Sequence, residues 1–264
     1  MSNLIFRIKT YLKYQFNKKG PHGIHSPFIY EFSSKVIRDR SRHPAYEKIL
    51  KAKKHMLSNR NVIETVDFGS GAGNKPFSTY RVRVSELAKS RSSAFKYYAL
   101  LHRIVAFYKP AQIMEFGTST GLSAISMALG NPDAHILSME GCASVAHVAE
   151  GIFHRFNISS VELSIGNFNN VLAANLQKSE KLDLVFFDGN HRKEPTLDYF
   201  IHCMTKIDEN SIFIFDDIHW SPEMEEAWEA IKAHKEVTLS VDLFQFGIVF
   251  FRKGVEKQHF VLSM

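Results

Sequence analysis

The 264-residue sequence predicts an α/β fold: a doubly wound, mostly parallel seven-stranded sheet with an antiparallel closing strand, preceded by a helical appendage. Three observations carry this expectation. From about residue 96 onward, short apolar runs alternate with helical patterns, which is how parallel strands and their crossover helices are written. Leu184-Val-Phe-Phe187 and Ile212-Phe-Ile-Phe215 are continuous apolar runs, as strands covered on both faces require. The stretch Ile113-Met-Glu-Phe-Gly-Thr-Ser-Thr-Gly-Leu-Ser-Ala-Ile-Ser-Met-Ala128 reads as a buried strand, a glycine-marked turn and the start of a helix.

Residues 4–16 place Leu4, Ile5, Ile8, Tyr11, Leu12 and Phe16 near a 3.6-residue period, with Arg7, Lys9 and Lys13 between them. That predicts an amphipathic helix packed on the body, on a second copy in a homodimer, or on a membrane surface. The turn-rich Lys19-Gly-Pro-His-Gly-Ile-His-Ser-Pro-Phe28 follows, and Ser26-Pro27 opens a helix through about residue 37. Residues 43–58 read as a third helix. Helices over 96–108, 119–129, 144–156, 169–178, 194–206 and 222–234 then alternate with strands over 111–116, 135–140, 161–165, 182–187 and 211–215. Two β-rich runs near 237–242 and 246–252 close the sheet. Ser221 is a good N-cap for the last helix, with Pro222 at its first position and Glu223 and Glu225 in its first turn.

Charge is unevenly placed. Residues 1–60 carry 14 Lys and Arg against 3 Asp and Glu, whereas the other 204 residues carry 19 against 24. A basic N-terminal segment thus precedes a mildly acidic body, and such a segment attracts nucleic acid, anionic membrane or acidic substrates unless it is only a solvated face. The expected organisation is a basic helical appendage over 1–60, a loop or lid over 61–95 and a ligand-binding domain over 96–264. Cys142 and Cys203 form neither a disulfide framework nor a zinc site. No apolar run approaches the roughly 18 residues of a spanning helix. Arg7 and Lys9 interrupt any leader region, so a cytoplasmic protein is expected.

Two glycine turns compete for a ligand. Val66-Asp-Phe-Gly-Ser-Gly-Ala-Gly73 has three alternate glycines, but Asn74-Lys-Pro-Phe77 does not open a helix after it. A glycine motif counts only in its strand-turn-helix setting, so this one reads as a loop. Gly117-Thr-Ser-Thr-Gly121 has the setting. It is G-x-x-x-G, with Ser119 where a dinucleotide fingerprint needs its second glycine, so NAD is disfavoured. Glu140 closes the next apolar run, and a carboxylate there suits a ribose diol.

The pattern Met114-Glu-Phe-Gly-Thr-Ser-Thr-Gly-Leu-Ser-Ala124, with Glu140 about twenty residues later, resembles class I S-adenosylmethionine-dependent methyltransferases. It is most similar to their catechol O-methyltransferase-like branch, over roughly residues 96–252, on a Rossmann-like fold. The resemblance implies that Glu115, Gly117 and Gly121 surround the amino acid part of S-adenosyl-L-methionine and that Glu140 takes the ribose hydroxyls. Thr118, Ser119 and Asp188 are counted with them, and Asn167 stands where many members carry an acid for the adenine. Pro21-His-Gly-Ile-His-Ser-Pro-Phe28 is similar to a bacterial subgroup whose substrates are not named.

Two expected strands end in acids: Asp188, followed by Gly189-Asn190-His191, and Asp216-Asp217, followed by Ile218-His219-Trp220. Carboxyl ends of parallel strands form a ligand crevice, and three carboxylates there call for a cation or protons. Hard oxygen donors suit Mg²⁺. The resemblance implies the same, since catechol-type and some sugar O-methyltransferases hold a divalent metal at the positions of Asp188, Asp216 and Asp217. The catechol-type base falls at His191, and a histidine can accept a hydroxyl proton near neutrality. Asp188 is placed beside it in the catalytic set, with His219 as a second base, ligand or substrate contact. His22 and His25 are turn residues that could approach the site.

These residues point to O-methylation of a small hydroxylated acceptor such as a sugar or diol. A 2′-hydroxyl of RNA is the alternative raised by the basic segment, and a cofactor-binding protein without turnover is another. No Asn-Pro-Pro-Tyr motif for base amines is present, and neither cysteine follows a proline as cytosine attack would require.

Overall fold

A computed structural model of the chain describes residues 3–20, 23–67 and 78–264, with only the backbone of Asn3, Asp67 and Ser78. Contacts divide it into two compact units: Arg40–Ser179, and a discontinuous unit of Met1–Asp39 with Glu180–Met264. The first 39 residues therefore group with the C-terminal part of the chain.

Helix α1 (Asn3–Asn17) opens the discontinuous unit. The Tyr14 hydroxyl donates to the Leu262 carbonyl at 2.6 Å. The rings of Tyr11 and Tyr14 pack on Phe244 at 5.0 and 5.4 Å, and the Arg7 guanidinium lies 4.3 Å over the Trp220 ring. Helix α2 (Pro27–Phe32) starts as its Ser-Pro signal predicts: Ser26 Oγ accepts the Ile29 N–H at 3.4 Å. It runs on as a π-helical turn over Ser33–Ile37. Phe28 and Phe32 meet Phe250 edge-on at 5.0 and 5.3 Å.

The Arg40–Ser179 unit begins with α3 (Pro44–Ser58). Residues 61–95, expected as loop or lid, hold β1 (Val62–Asp67), β2 (Ser78–Arg83) and α4 (Val84–Arg91). β1 and β2 pair antiparallel, with β-branched Val62, Ile63, Thr65 and Val66 facing Arg83, Val82, Tyr80 and Thr79. Then come α5 (Phe95–Tyr108), β3 (Gln112–Phe116), α6 (Leu122–Gly130), β4 (His135–Glu140), α7 (Ala143–Arg155), β5 (Val161–Ile165) and α8 (Phe168–Gln177). β3, β4 and β5 are parallel, in that order, with Glu115 beside Ser138 and Glu140 beside Ile165. Nearly every residue of α6 is buried, which suits its almost wholly apolar and small composition.

The chain re-enters the discontinuous unit with β6 (Leu184–Phe187), α9 (Lys193–Cys203), β7 (Ile212–Phe215), α10 (Pro222–Ala233), β8 (Leu239–Asp242) and β9 (Gly247–Phe250). Ser221 caps α10 by accepting the Met224 N–H at 3.2 Å. β6 and β7 are parallel, and every residue in both is buried. Phe187 and Phe215 stack across them at 4.4 Å, burying more apolar surface than any aliphatic pair would. β9 runs antiparallel to both β7 and β8 and is the expected closing strand.

All seven expected strands form, and β10 (Gln258–Val261) joins them, parallel to β8. Seven was therefore one short. Gln258-His-Phe-Val261 is a short, half-polar run at the end of the strand order, and an outer strand with one open side needs no apolar periodicity. No helix among the described residues is long and apolar enough to cross a membrane.

Candidate functional site

The glycine turn and its acids lie in the Arg40–Ser179 unit. β3 delivers Glu115 and Phe116, both fully buried, and the chain turns at Gly117 (φ 97°). Gly117 and Thr118 N–H groups donate to the Met139 carbonyl at 3.0 and 3.1 Å, which ties the turn to β4. Ser119 takes φ 47° and Gly121 φ 79°, and α6 starts at once. A Cβ on Gly121 would meet Phe153 Cε1 at 2.7 Å. That glycine is thus required by packing on α7 as well as by its backbone angle.

Glu115 is the unusual group. Burial pushes its carboxyl up to about 7, with the Glu140 charge adding to this and hydrogen bonds from Ser123 and Ser138 opposing it. Ser138 Oγ donates to Glu115 Oε2 at 2.5 Å and lies 2.6 Å from Thr118 Oγ1. Ser138 has one proton and gives it to the carboxylate, so Thr118 donates to Ser138. Glu115 Oε1 and Ser119 Oγ are buried without a hydrogen-bond partner. Such atoms carry a desolvation cost that a bound polar ligand removes.

Glu140 is buried and holds the turn from the next strand. Its Oε2 accepts the Ser119 N–H and its Oε1 the Cys142 N–H, each at 2.9 Å. Each oxygen keeps a second lone pair. Asn167 is the N-cap of α8 and accepts the Asn169 N–H at 3.0 Å, leaving its amide nitrogen to donate elsewhere.

The aspartates and histidines lie in the discontinuous unit. Asp188 follows β6, and His191 Nε2 stands 3.7 Å from its Oδ1. Asp216 follows β7, is 4% exposed, and donates its backbone N–H to Phe187 O at 2.9 Å. Burial pushes its carboxyl up to about 6, helped by the Asp217 charge, while His191, Gln245 and a hydrogen bond with Asp188 pull the other way. Asp217 sits in the left-handed region at φ 55° and donates its N–H to Asp216 Oδ1 at 2.8 Å. The structure thus brings Asp188, His191, Asp216 and Asp217 together.

It does so around the side-chain amide of Gln245. Gln245 Nε2 donates to Asp216 Oδ1 and to Asp217 Oδ1, at 2.6 Å each. Among the described residues no three His, Cys, Asp or Glu side chains form a group that could hold a metal ion. At Asp216 and Asp217 the Gln245 amide thus supplies part of the compensation that sequence reasoning assigned to a magnesium ion on Asp188, Asp216 and Asp217.

His219 lies on the same loop and makes a different pair. Its Nε2 is 2.9 Å from Asp242 Oδ2, its ring packs 5.5 Å from Phe244, and its Nδ1 is buried without a partner. A carboxylate on one nitrogen fixes the proton there and leaves the other nitrogen basic. Trp220, beside it, is 39% exposed under Arg7. His25 is exposed. His22 and residues 68–73 of the first glycine turn lie outside the described residues.

Sequence reasoning missed Ser138, Asp242 and Gln245. Ser138 had a signal, being a polar residue inside a strand that is otherwise apolar and buried. Asp242 ends β8, much as Asp188 and Asp216 directly follow β6 and β7. Gln245 had none.

Residues 114–218 match the family model described as a methyltransferase domain. The O-methyltransferase of Streptomyces achromogenes involved in tomaymycin synthesis, solved with S-adenosylmethionine, is similar over 84% of this chain and 94% of its own, at 17% identity and TM-score 0.56. The Bacillus cereus O-methyltransferase, solved with S-adenosylhomocysteine, is similar over 83% and 94%, at 16% identity and TM-score 0.56. A Podospora anserina methyltransferase, also bound to S-adenosylhomocysteine, is similar over 87% and 97%, at 14% identity and TM-score 0.59. No curated protein sequence matches the chain. At these identities the likenesses show the fold, and with the matched domain they agree with the resemblance read from the motif.

Proposed function

We propose that this chain, which carries a methyltransferase domain on a class I, O-methyltransferase-like fold, moves a methyl group from S-adenosylmethionine to a hydroxyl oxygen of a small molecule. The observation that carries the chemistry is the His219–Asp242 pair, because an oxygen nucleophile needs a base and the pairing at Nε2 leaves His219 Nδ1 with no hydrogen-bond partner.

The glycine turn fits the cofactor. Buried Glu115 Oε1 lacks a partner, and a ligand ammonium beside it would lower the cost of ionising that carboxyl. Gly117, Thr118, Ser119 and Gly121 would line the amino acid part. Glu140 would accept from the ribose hydroxyls through its second lone pairs, and the Asn167 amide would donate to the adenine. When bound, S-adenosylmethionine supplies an electrophilic methyl group.

The chain's own residues handle the acceptor. His219 Nδ1 takes the hydroxyl proton, and Asp242 holds the ring in the required tautomer and stabilises the imidazolium. Asp188 and His191 are the polar groups offered for orienting a second hydroxyl, which is why a diol or sugar is the preferred class. No metal step is invoked, since Gln245 already bridges Asp216 and Asp217.

The test is release of S-adenosylhomocysteine with a panel of catechols, sugars and polyhydroxylated compounds, run beside structured RNA. Turnover on a small hydroxylated compound, lost in His219→Ala, supports the proposal. Turnover on RNA alone, or none with any acceptor, contradicts it.

A further inference from the structure

The outward side of α1 is apolar and its borders are basic. Leu4 (66% exposed), Ile8 (52%), Leu12 (51%) and Phe16 (87%) form an i, i+4 stripe, with Ile5 exposed beside it. At 3.6 residues per turn these five side chains span an arc of about 120°. The opposite side is already used: Thr10 and Tyr14 are buried, and Tyr14 is bonded to Leu262. The stripe is therefore not the face that attaches the helix to its own unit.

We infer that α1 docks the chain on an anionic lipid surface. A contiguous apolar stripe left in water marks an interaction site. The charges choose the occupant. Residues 1–30 carry Arg7, Lys9, Lys13, Lys18 and Lys19 and no Asp or Glu. Two copies meeting through this face would set lysines against lysines with no acid in the segment to pair them. Arg7 is already stacked on Trp220 and Lys13 reaches Glu225 at 3.7 Å, but an anionic headgroup layer would pair Lys9, Lys18 and Lys19, with the Lys9 stem long enough to lie along the edge of the stripe. A helix lying in the interface plane has this division into apolar and cationic sides. Because Tyr11 and Tyr14 pack on Phe244, which packs on His219, docking would hold the His219 loop close to the lipid. The inference goes beyond the proposed reaction and does not depend on it.

Co-sedimentation of the full chain with phosphatidylcholine vesicles, with and without roughly one-third phosphatidylserine, tests it. The expected result is binding to the anionic vesicles alone, weakened by salt. The double variant Ile8→Glu, Leu12→Glu should lose at least about tenfold in vesicle affinity. Both positions are exposed, so its circular dichroism should match wild type. No binding to anionic vesicles at low ionic strength overturns the inference, as does equal binding by the variant or equal binding to neutral vesicles. A dimer in sedimentation velocity that the variant dissolves, without vesicle binding, would also overturn it and assign the stripe to a second copy.

Discussion

His219 Nε2 stands 2.9 Å from Asp242 Oδ2, and the other ring nitrogen, Nδ1, is buried with no partner. As the proposed base, His219 would depend on this carboxylate for tautomer and charge stabilisation. Asp242→Asn should keep the shape and lose both effects. The expected outcome is a fall in kcat of roughly 10²-fold or more, with the dissociation constant for S-adenosylmethionine unchanged. Steady-state kinetics beside a cofactor titration measure the two separately. Equal losses in both would point to a folding defect, not to a misaligned base.

Glu115 should make apo-protein stability depend on pH. Its carboxyl is pushed from the ordinary 4.5 to about 7 by burial. The fold therefore favours the protonated form. That contribution is fully present below the unfolded value of 4.5 and is lost as pH rises toward and through about 7. The gap corresponds to on the order of 3 kcal/mol. Glu115→Gln, which cannot ionise, should remove this slope in urea unfolding measured across that interval. An unchanged slope would show that Glu115 is paired in the free protein.

Gly121→Ala tests the turn. The new methyl would meet Phe153 at 2.7 Å and sit at φ 79°. Overpacking and left-handed strain together should cost roughly 2–4 kcal/mol, read as a lower midpoint in denaturant. Phe153→Leu in the same chain should recover part of that loss, since it removes the steric half of the problem.

Gln245 should make the aspartate cluster independent of metal. Turnover by the wild type should survive chelation, and its melting temperature should not move with Mn²⁺. Gln245→Glu replaces the bridging amide with another carboxylate, so Mn²⁺ should raise the melting temperature of that variant. A wild-type protein stabilised by Mn²⁺ would contradict the arrangement described.

Much of this was legible in the sequence because buried strands and helix starts are written locally. The runs ending at Phe187 and Phe215, the Ser221-Pro222 start and the Gly117–Gly121 turn each depend on neighbours within a few residues. The N-terminal helix was also legible, but not which of its faces would be used, since Tyr14 finds Leu262 and Phe244 more than two hundred residues away. The same limit hid Gln245. Three strand-end aspartates read as a metal site because their charges need compensation, and nothing near them in sequence says that an amide arrives from 28 residues on. The hairpin over 61–95 was missed because its two strands are short and exposed on one side.

The most direct test of the central claim is isothermal titration of the full chain with S-adenosylmethionine, with NAD as the control. The account predicts binding in roughly the micromolar range for S-adenosylmethionine and none for NAD. No heat with S-adenosylmethionine, or equal binding of NAD, would contradict it and leave Gly117–Gly121 as a packing turn.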